Sequence, residues 1–164
     1  MIVSKINLDI EVIKLIKNMV FDDILLINIF KNGICITQNI NNISNLSIFI
    51  DKKYLTNHNI IYENSFVTNN IDILTDLKIE KINNNFIINN QANIVNDVCN
   101  VCKKLINLKF NKIDVNYNQL NIDSKINFLK ECDFEIIISN KFNGIVLKTK
   151  KHMFELYINI LYSQ

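Results

Sequence analysis

The chain contains two glycines and no proline, and both glycines fall at the same point of a repeated pattern. One sits in Asn32-Gly33-Ile34 and the other in Asn143-Gly144-Ile145. Ahead of each lies an apolar run behind an aspartate, Asp23-Ile24-Leu25-Leu26-Ile27 in the first copy and Asp133-Phe134-Glu135-Ile136-Ile137-Ile138 in the second. Further upstream, Ile6-Asn7-Leu8-Asp9 matches Leu120-Asn121-Ile122-Asp123, and each leads into a helical pattern. The offset between copies shortens from 114 residues at that first match to 111 at the glycines, as a shorter second helix requires.

Each copy reads as β-α-β-β-β. In the first, Ile2–Ile6 is a strand, and Asn7 or Asp9 caps a helix through about Val20. Leu8, Val12, Ile16, Met19 and Val20 fall on one side of that helix, and Glu11, Lys14, Lys17 and Asn18 on the other. Ile24–Phe30 and Ile34–Gln38 form a hairpin across Asn32-Gly33, expected as a type I′ turn. A polar connection then leads to a third strand, Leu46–Ile50. In the second copy Ile113–Tyr117 supplies the leading strand, and Ile122–Leu161 one short helix and three strands.

The middle of the chain fits neither copy. Asp72–Glu80 and Phe86–Asn89 read as strands, with a short helix over Ile71–Ile82 as the other reading. Ala92–Asn107 has the cleanest helical pattern, with Ile94, Val95, Val98, Val101, Cys102, Leu105 and Ile106 on one face. The fold class expected is therefore α+β, with duplicated β-α-β-β-β units and an inserted amphipathic helix. It forms a single domain over 1–164, comprising half-unit 1–50, inserted segment 51–111 and half-unit 112–164.

Composition adds bounds. A chain that is 49% hydrophobic is folded rather than disordered. The weight of Ile, Asn and Lys without Arg or Trp is what an AT-rich genome imposes. The Asn runs Asn69-Asn70, Asn83–Asn85 and Asn89-Asn90 are expected in turns, because asparagine tolerates left-handed backbone. The charged N-terminus lacks the core of a signal peptide, and no apolar run is long enough for a membrane helix. No membrane association and an intracellular location, cytoplasmic or nuclear, are therefore expected, with the four cysteines as reduced thiols.

No catalytic, metal or cofactor signature emerges. Cys99 and Cys102 form a CxxC, but within the expected helix Cys102 lies in the apolar stripe and Cys99 at its edge. They read as buried structural thiols; a thiol-based or metal-dependent enzyme is the weaker reading. His58 is expected in a polar loop, His152 in a Lys150-Lys151-His152 turn, and Asp22-Asp23 as a cap or turn. With no Gly-rich loop there is no phosphate cradle either. The expected answer is not an enzyme, with no cofactor.

What remains is lysine. A net charge of +2 predicts nothing by itself. However, Lys14 and Lys17 on the first helix, and Lys103 and Lys104 on the middle one, project from polar faces, while Lys125 and Lys130 flank the apolar stripe of the last. Lysines on helices beside nearly neutral strands suit a surface that follows a DNA backbone without reading bases.

Two stretches carry a family resemblance. Gly33-Ile34-Cys35-Ile36-Thr37-Gln38 through Ser44-Asn45-Leu46-Ser47-Ile48 is similar to the strand-turn-strand after the first helix of the DNA sliding clamp family, the proliferating cell nuclear antigen type. Asn121 to Lys130, continuing through Asn143-Gly144-Ile145-Val146-Leu147, is similar to the helix-strand-strand of that family's second half-domain. The resemblance implies helices lining a pore around duplex DNA, and sheets on the outside and at subunit interfaces. It implies a non-enzymatic accessory or processivity factor for DNA replication or transcription, with Lys14, Lys17, Lys125, Lys130, Lys103 and Lys104 as the DNA-binding set. Partners would be duplex DNA, replication or transcription proteins, and further subunits in a homo-oligomer or hetero-oligomer. An AT-rich virus or plasmid would be a fitting source, and a viral replication site a fitting place of action. A cellular clamp subunit carries two domains and this chain holds one, so a ring would need roughly six copies or a partner chain. The family's long inter-domain linker has no counterpart. The competing reading is an α+β protein–protein interaction module without nucleic-acid binding.

Overall fold

A computed structural model describes residues 1–89, 91–92, 96–97, 114–116, 124–130, 132–139 and 144–161. Its centre is a nine-stranded antiparallel sheet in which the last strands of the two sequence copies hydrogen-bond to each other. The first copy comprises β1 (Ile2–Asn7), α1 (Ile10–Lys17), β2 (Leu25–Phe30), β3 (Gly33–Asn39) and β4 (Ser44–Asp51). Between the copies lie β5 (Asn57–Ile60), β6 (Asn64–Thr68), β7 (Leu77–Ile82), β8 (Asn85–Ile88), β9 (Gln91–Ala92) and β10 (Asn96–Asp97). The second copy comprises β11 (Asp114–Asn116), a 3-10 segment Ser124–Leu129, β12 (Asp133–Ser139), β13 (Gly144–Lys151) and β14 (Phe154–Leu161). The larger sheet runs β10-β6-β2-β3-β4-β14-β13-β12-β11, and a smaller one runs β5-β1-β7-β8-β9. With α1 beside these sheets, the class is α+β.

Register explains why the seam between β4 and β14 holds. Ile27 pairs with Ile36, Ile36 with Ile48, and Ile48 with Leu156, so one apolar row crosses four strands and the seam. The next row, Leu46–Ile158–Leu147–Ile136, continues into the second copy. Alternate residues of a strand share a face, and this face receives Val12, Ile13 and Ile16 of α1 together with Ile126 and Leu129 of the 3-10 segment. Each such side chain, fully buried, contributes roughly 1.5–3 kcal/mol.

Several local expectations change. Helix α1 is capped by Asp9, whose carboxylate accepts from Glu11 N–H at 2.8 Å, but it ends at Lys17, not near Val20. The Lys31-Asn32 turn is not type I′, since neither residue has positive φ; the strain sits on Gly33 at φ +156. A Cβ there would lie 2.1 Å from the Ile50 carbonyl oxygen, so glycine is required by close backbone approach. The left-handed pair belongs instead to Asn83 (φ 48) and Asn84 (φ 65), which join β7 to β8 as a type I′ turn. Asn89 is also left-handed, as the asparagine argument expects.

Ile71–Ile82 divides between both readings: Ile71–Thr75 is a 3-10 turn and Leu77–Ile82 a strand. The expected helix over Ala92–Asn107 is overturned at its start, because Ala92 pairs in β9 with β8, and Asn96 and Asp97 pair in β10 with β6. Backbone ladder bonds replace helical ones there. Residues 98–107 lie outside the described residues, as do Cys99 and Cys102. The second helix is not α-helical either. It is 3-10, with a break at Ile126 (φ −109, ψ 24).

Candidate nucleic-acid interface

The lysines proposed from sequence fall into three groups. Lys14 and Lys17 are exposed on α1, on the side opposite Val12, Ile13 and Ile16. Helical spacing puts Lys14 one turn after Glu11, and its ammonium lies 3.2 Å from that carboxylate. Lys17 lies 2.8 Å from Asp72, which the side chain of Asn70 positions by accepting from Asp72 N–H at 3.0 Å. Both pairs are exposed, so each holds its lysine weakly, and a competing phosphate has access to the ammonium.

Lys125 is the second residue of the 3-10 segment, and Lys130 follows its last residue. Lys125 Nζ donates to the Ile40 carbonyl at 2.8 Å, which draws its charge to the loop after β3. Lys130 is exposed, and its backbone N–H closes the segment on Asn127 O at 3.0 Å. Lys103 and Lys104 lie outside the described residues. The fold thus brings α1 and the 3-10 segment onto one sheet face, with lysines on the outer side of each.

Sequence reasoning missed Lys151. Its ammonium donates to Phe128 O at 2.6 Å and lies 5.6 Å from the Phe128 ring centre, tying the end of β13 to the 3-10 segment. The Lys150-Lys151 run was the available signal. The expectation of nearly neutral strands fails: Lys5, Lys78, Lys81, Lys148, Lys150 and Lys151 all lie in strands. The strands stay close to neutral only where acids answer them, as Glu80 does Lys78, and Glu155 does Lys148 at 3.9 Å. The Lys78 ammonium, by hydrogen bond above all, holds the Glu80 carboxyl below the usual carboxylate range.

The opposite face of the large sheet carries a polar row, Thr37–Ser47–Tyr157–Lys148–Glu135, across five strands. Thr37 and Ser47 share a hydrogen bond of 2.9 Å. Tyr157 donates to Glu155 at 2.8 Å, and burial first, then that carboxylate, pushes its phenol well above the ordinary tyrosine range. A phenol held so firmly protonated is a structural donor rather than an acid at neutral pH.

The remaining chemistry-bearing residues have plain roles. His58 is not in a polar loop: it is half-buried on β5, with Nε2 2.9 Å from the Phe30 carbonyl oxygen. His152 occupies the expected turn, exposed and left-handed at φ 55. Asp22 accepts from Ile24 and Asn39 N–H groups, each at 3.3 Å, as a turn carboxylate does. Cys35, whose Sγ lies 3.9 Å from Thr37 Oγ1, and Cys132 are not disulfide-bonded. Among the described residues no three His, Cys, Asp or Glu side chains form a metal-binding group, and no helix is long and apolar enough to cross a membrane. An open cleft of about 670 Å³ lies beside Asp72, with the exposed apolar residues Ile24 and Val67 on its wall.

No protein-family model and no curated protein matches the sequence. Solved structures similar to the chain include A. fulgidus PCNA with the C-terminal region of FEN-1 bound, at TM-score 0.48 and 8% identity, covering all of both chains. The beta subunit from DNA polymerase of Streptococcus pyogenes is similar at TM-score 0.48 and 8% identity, over 98% of this chain and 65% of that one. The DNA polymerase III beta chain of Streptococcus pneumoniae is similar at TM-score 0.45 and 11% identity, over 100% of this chain and 66% of that one. The chain therefore spans about two thirds of the length of these beta chains.

Proposed function

We propose that the protein is a non-enzymatic, sliding-clamp-like accessory factor of DNA replication or transcription, built by doubling a β-α-β-β-β unit. Its helical side faces duplex DNA without reading sequence. The observation that carries this reading is the placement of α1 and the 3-10 segment on one face of a sheet that is continuous across both copies. On their outer sides stand Lys14, Lys17 and Lys130, with Lys125 beside them. Such a surface offers lysine point charges to phosphates and no arginine fork for bidentate phosphate or guanine contact, because the chain has no arginine. Lys103 and Lys104 remain members of the proposed set. The work would be done with further subunits and with replication or transcription proteins, inside the cell.

Reversing charge at Lys14→Glu with Lys17→Glu tests the reading. Duplex affinity should fall about tenfold or more at low salt, and the slope of log affinity against log salt should flatten by up to about 2. Fluorescence anisotropy across a salt series measures both. Unchanged affinity and slope would sink the DNA-facing role of α1.

A protein–protein interaction module without nucleic-acid binding is the second reading, and one observation favours it. Lys14 and Lys17 are each answered by an acid, and the neighbouring cleft presents Ile24 and Val67, 63% and 53% exposed. The same titration decides: no duplex binding at low salt selects this reading.

A further inference from the structure

Strand β5 is the outer strand of the smaller sheet and, among the described residues, is paired to β1 on one side only. The Ile61 N–H donates to the Val3 carbonyl at 2.9 Å, continuing the Asn59/Lys5 and Asn57/Asn7 pairings at two-residue spacing. In an antiparallel ladder, pairs that exchange both backbone bonds alternate with pairs that exchange none. Asn57, Asn59 and Ile61 therefore direct their backbone groups at β1. The N–H and C=O of His58 and Ile60 point the other way, along the open edge.

Sheets protect such an edge with a lysine, a proline or a bulge. Leu55–Tyr62 contains no charged residue and no proline, and β5 pairs with β1 in unbroken register. Ile61 and Tyr62, 47% and 51% exposed, continue the edge with apolar surface. The strand is also fixed in advance. His58 Nε2 against the Phe30 carbonyl anchors it to the β2–β3 hairpin, and Thr56 Oγ1 donates to Asn7 O at 3.0 Å.

We propose that this edge joins two copies of the chain, β5 against β5 and antiparallel, about a two-fold axis through Asn59. The segment is complementary to itself in that register. His58 of one copy faces Ile60 of the second, and these are the residues whose backbone groups are open, so each facing pair exchanges two N–H···O bonds. Asn59 then faces its own copy in the pair without backbone bonds, and Asn57 faces Ile61. The nearest lysine, Lys5, lies one strand further in, beside Asn59. Two Lys5 strands would be three strand spacings apart, about 14 Å, which exceeds the screening length at physiological salt. A strand from another protein would find no ion pair on this edge. A second copy gains most from the missing charge, because symmetry sets every charge near the axis against its own like. The contact is independent of the DNA-binding reading.

Sedimentation velocity of the full chain over a concentration series, from about 1 μM to 1 mM, tests it. The expected result is a reversible monomer–dimer equilibrium, with amide exchange at His58 and Ile60 slowing as dimer forms. Asn59→Lys sets like charges opposite each other at the axis and should raise the dissociation constant by about fivefold. Asn69→Lys, on the exposed turn after β6, should leave it unchanged. Thermal unfolding of both variants checks that they fold. A monomer at every concentration overturns the proposal, as does association indifferent to Asn59→Lys.

Discussion

The two β-α-β-β-β stretches start from similar sequence and part ways at their first two elements. In the N-terminal stretch, β1 leaves its neighbours and lies between β5 and β7 in the smaller sheet, while α1 is a capped α-helix. In the C-terminal stretch, β11 stays beside β12 in the large sheet, and a broken 3-10 segment replaces the helix. From the second strand onward the two agree, and β4 meets β14 in an antiparallel ladder from Ser44 to Phe49. Strand partners are chosen by what is available. The long central segment offers β1 two partners, whereas β11 has, among the described residues, a single three-residue pairing. Length makes the same distinction for the helices, since a short segment gains few of the i→i−4 bonds that offset a costly first turn.

Four substitutions would sharpen or break that comparison. The largest effect is expected at the N-terminal hairpin. Gly33→Ala forces a Cβ against the Ile50 carbonyl at a backbone conformation that other residues resist, and should cost about 3 kcal/mol or more, read by urea denaturation. A loss under about 1 kcal/mol would mean that β3 and β4 separate easily, contrary to their tight register.

Next come the helical anchors, Ile16 of α1 and Ile126 of the 3-10 segment, both 0% exposed. Replacing either by Ala should cost about 2–5 kcal/mol, with Ile126→Ala at the lower end because its broken backbone can close around the gap. If Ile126→Ala proves the costlier, the 3-10 segment is the more rigid of the two. The smallest effect belongs to the cap. Asp9→Ala removes the acceptor for Glu11 N–H and should lower stability by about 1 kcal/mol, visible as a shift in the thermal midpoint. No shift would show that tertiary burial of Ile13 and Ile16 alone holds α1.

Strands with clear alternation were legible in the sequence. The runs at Leu25–Phe30 and Gly33–Asn39 follow from apolar periodicity and turn residues, within a residue or two of their ends, and the strand after Asn143-Gly144 was legible in place though not in extent. Strands β5 and β6 were not legible. Asn57-His58-Asn59 looks like a loop, and only its ladder with β1 makes it a strand. The apolar periodicity of Ala92–Asn107 pointed to helix, yet Ala92, Asn96 and Asp97 are claimed by neighbouring strands. At the candidate interface, the outward placement of Lys14 and Lys17 was readable from 3.6-residue spacing. Their acidic partners divide: Glu11 is one turn away, whereas Asp72 is 55 positions distant and no local pattern could reveal it. The link from Lys151 to Phe128 was hidden for the same reason.

By itself, the sequence determined which side of α1 turns inward, that a helix starts at Asn7 or Asp9, and that asparagine would serve at left-handed turn positions. These depend on side-chain chemistry and on backbone sterics within a few residues. Only the tertiary structure decided that β4 pairs with β14, that β1 belongs to a different sheet from β2, and that Gly33 is fixed by the carbonyl of Ile50 rather than by its own turn. Those outcomes arise from hydrogen bonds and close contacts between residues far apart in the chain. An open backbone edge such as β5 is visible only once every other strand has found its partner.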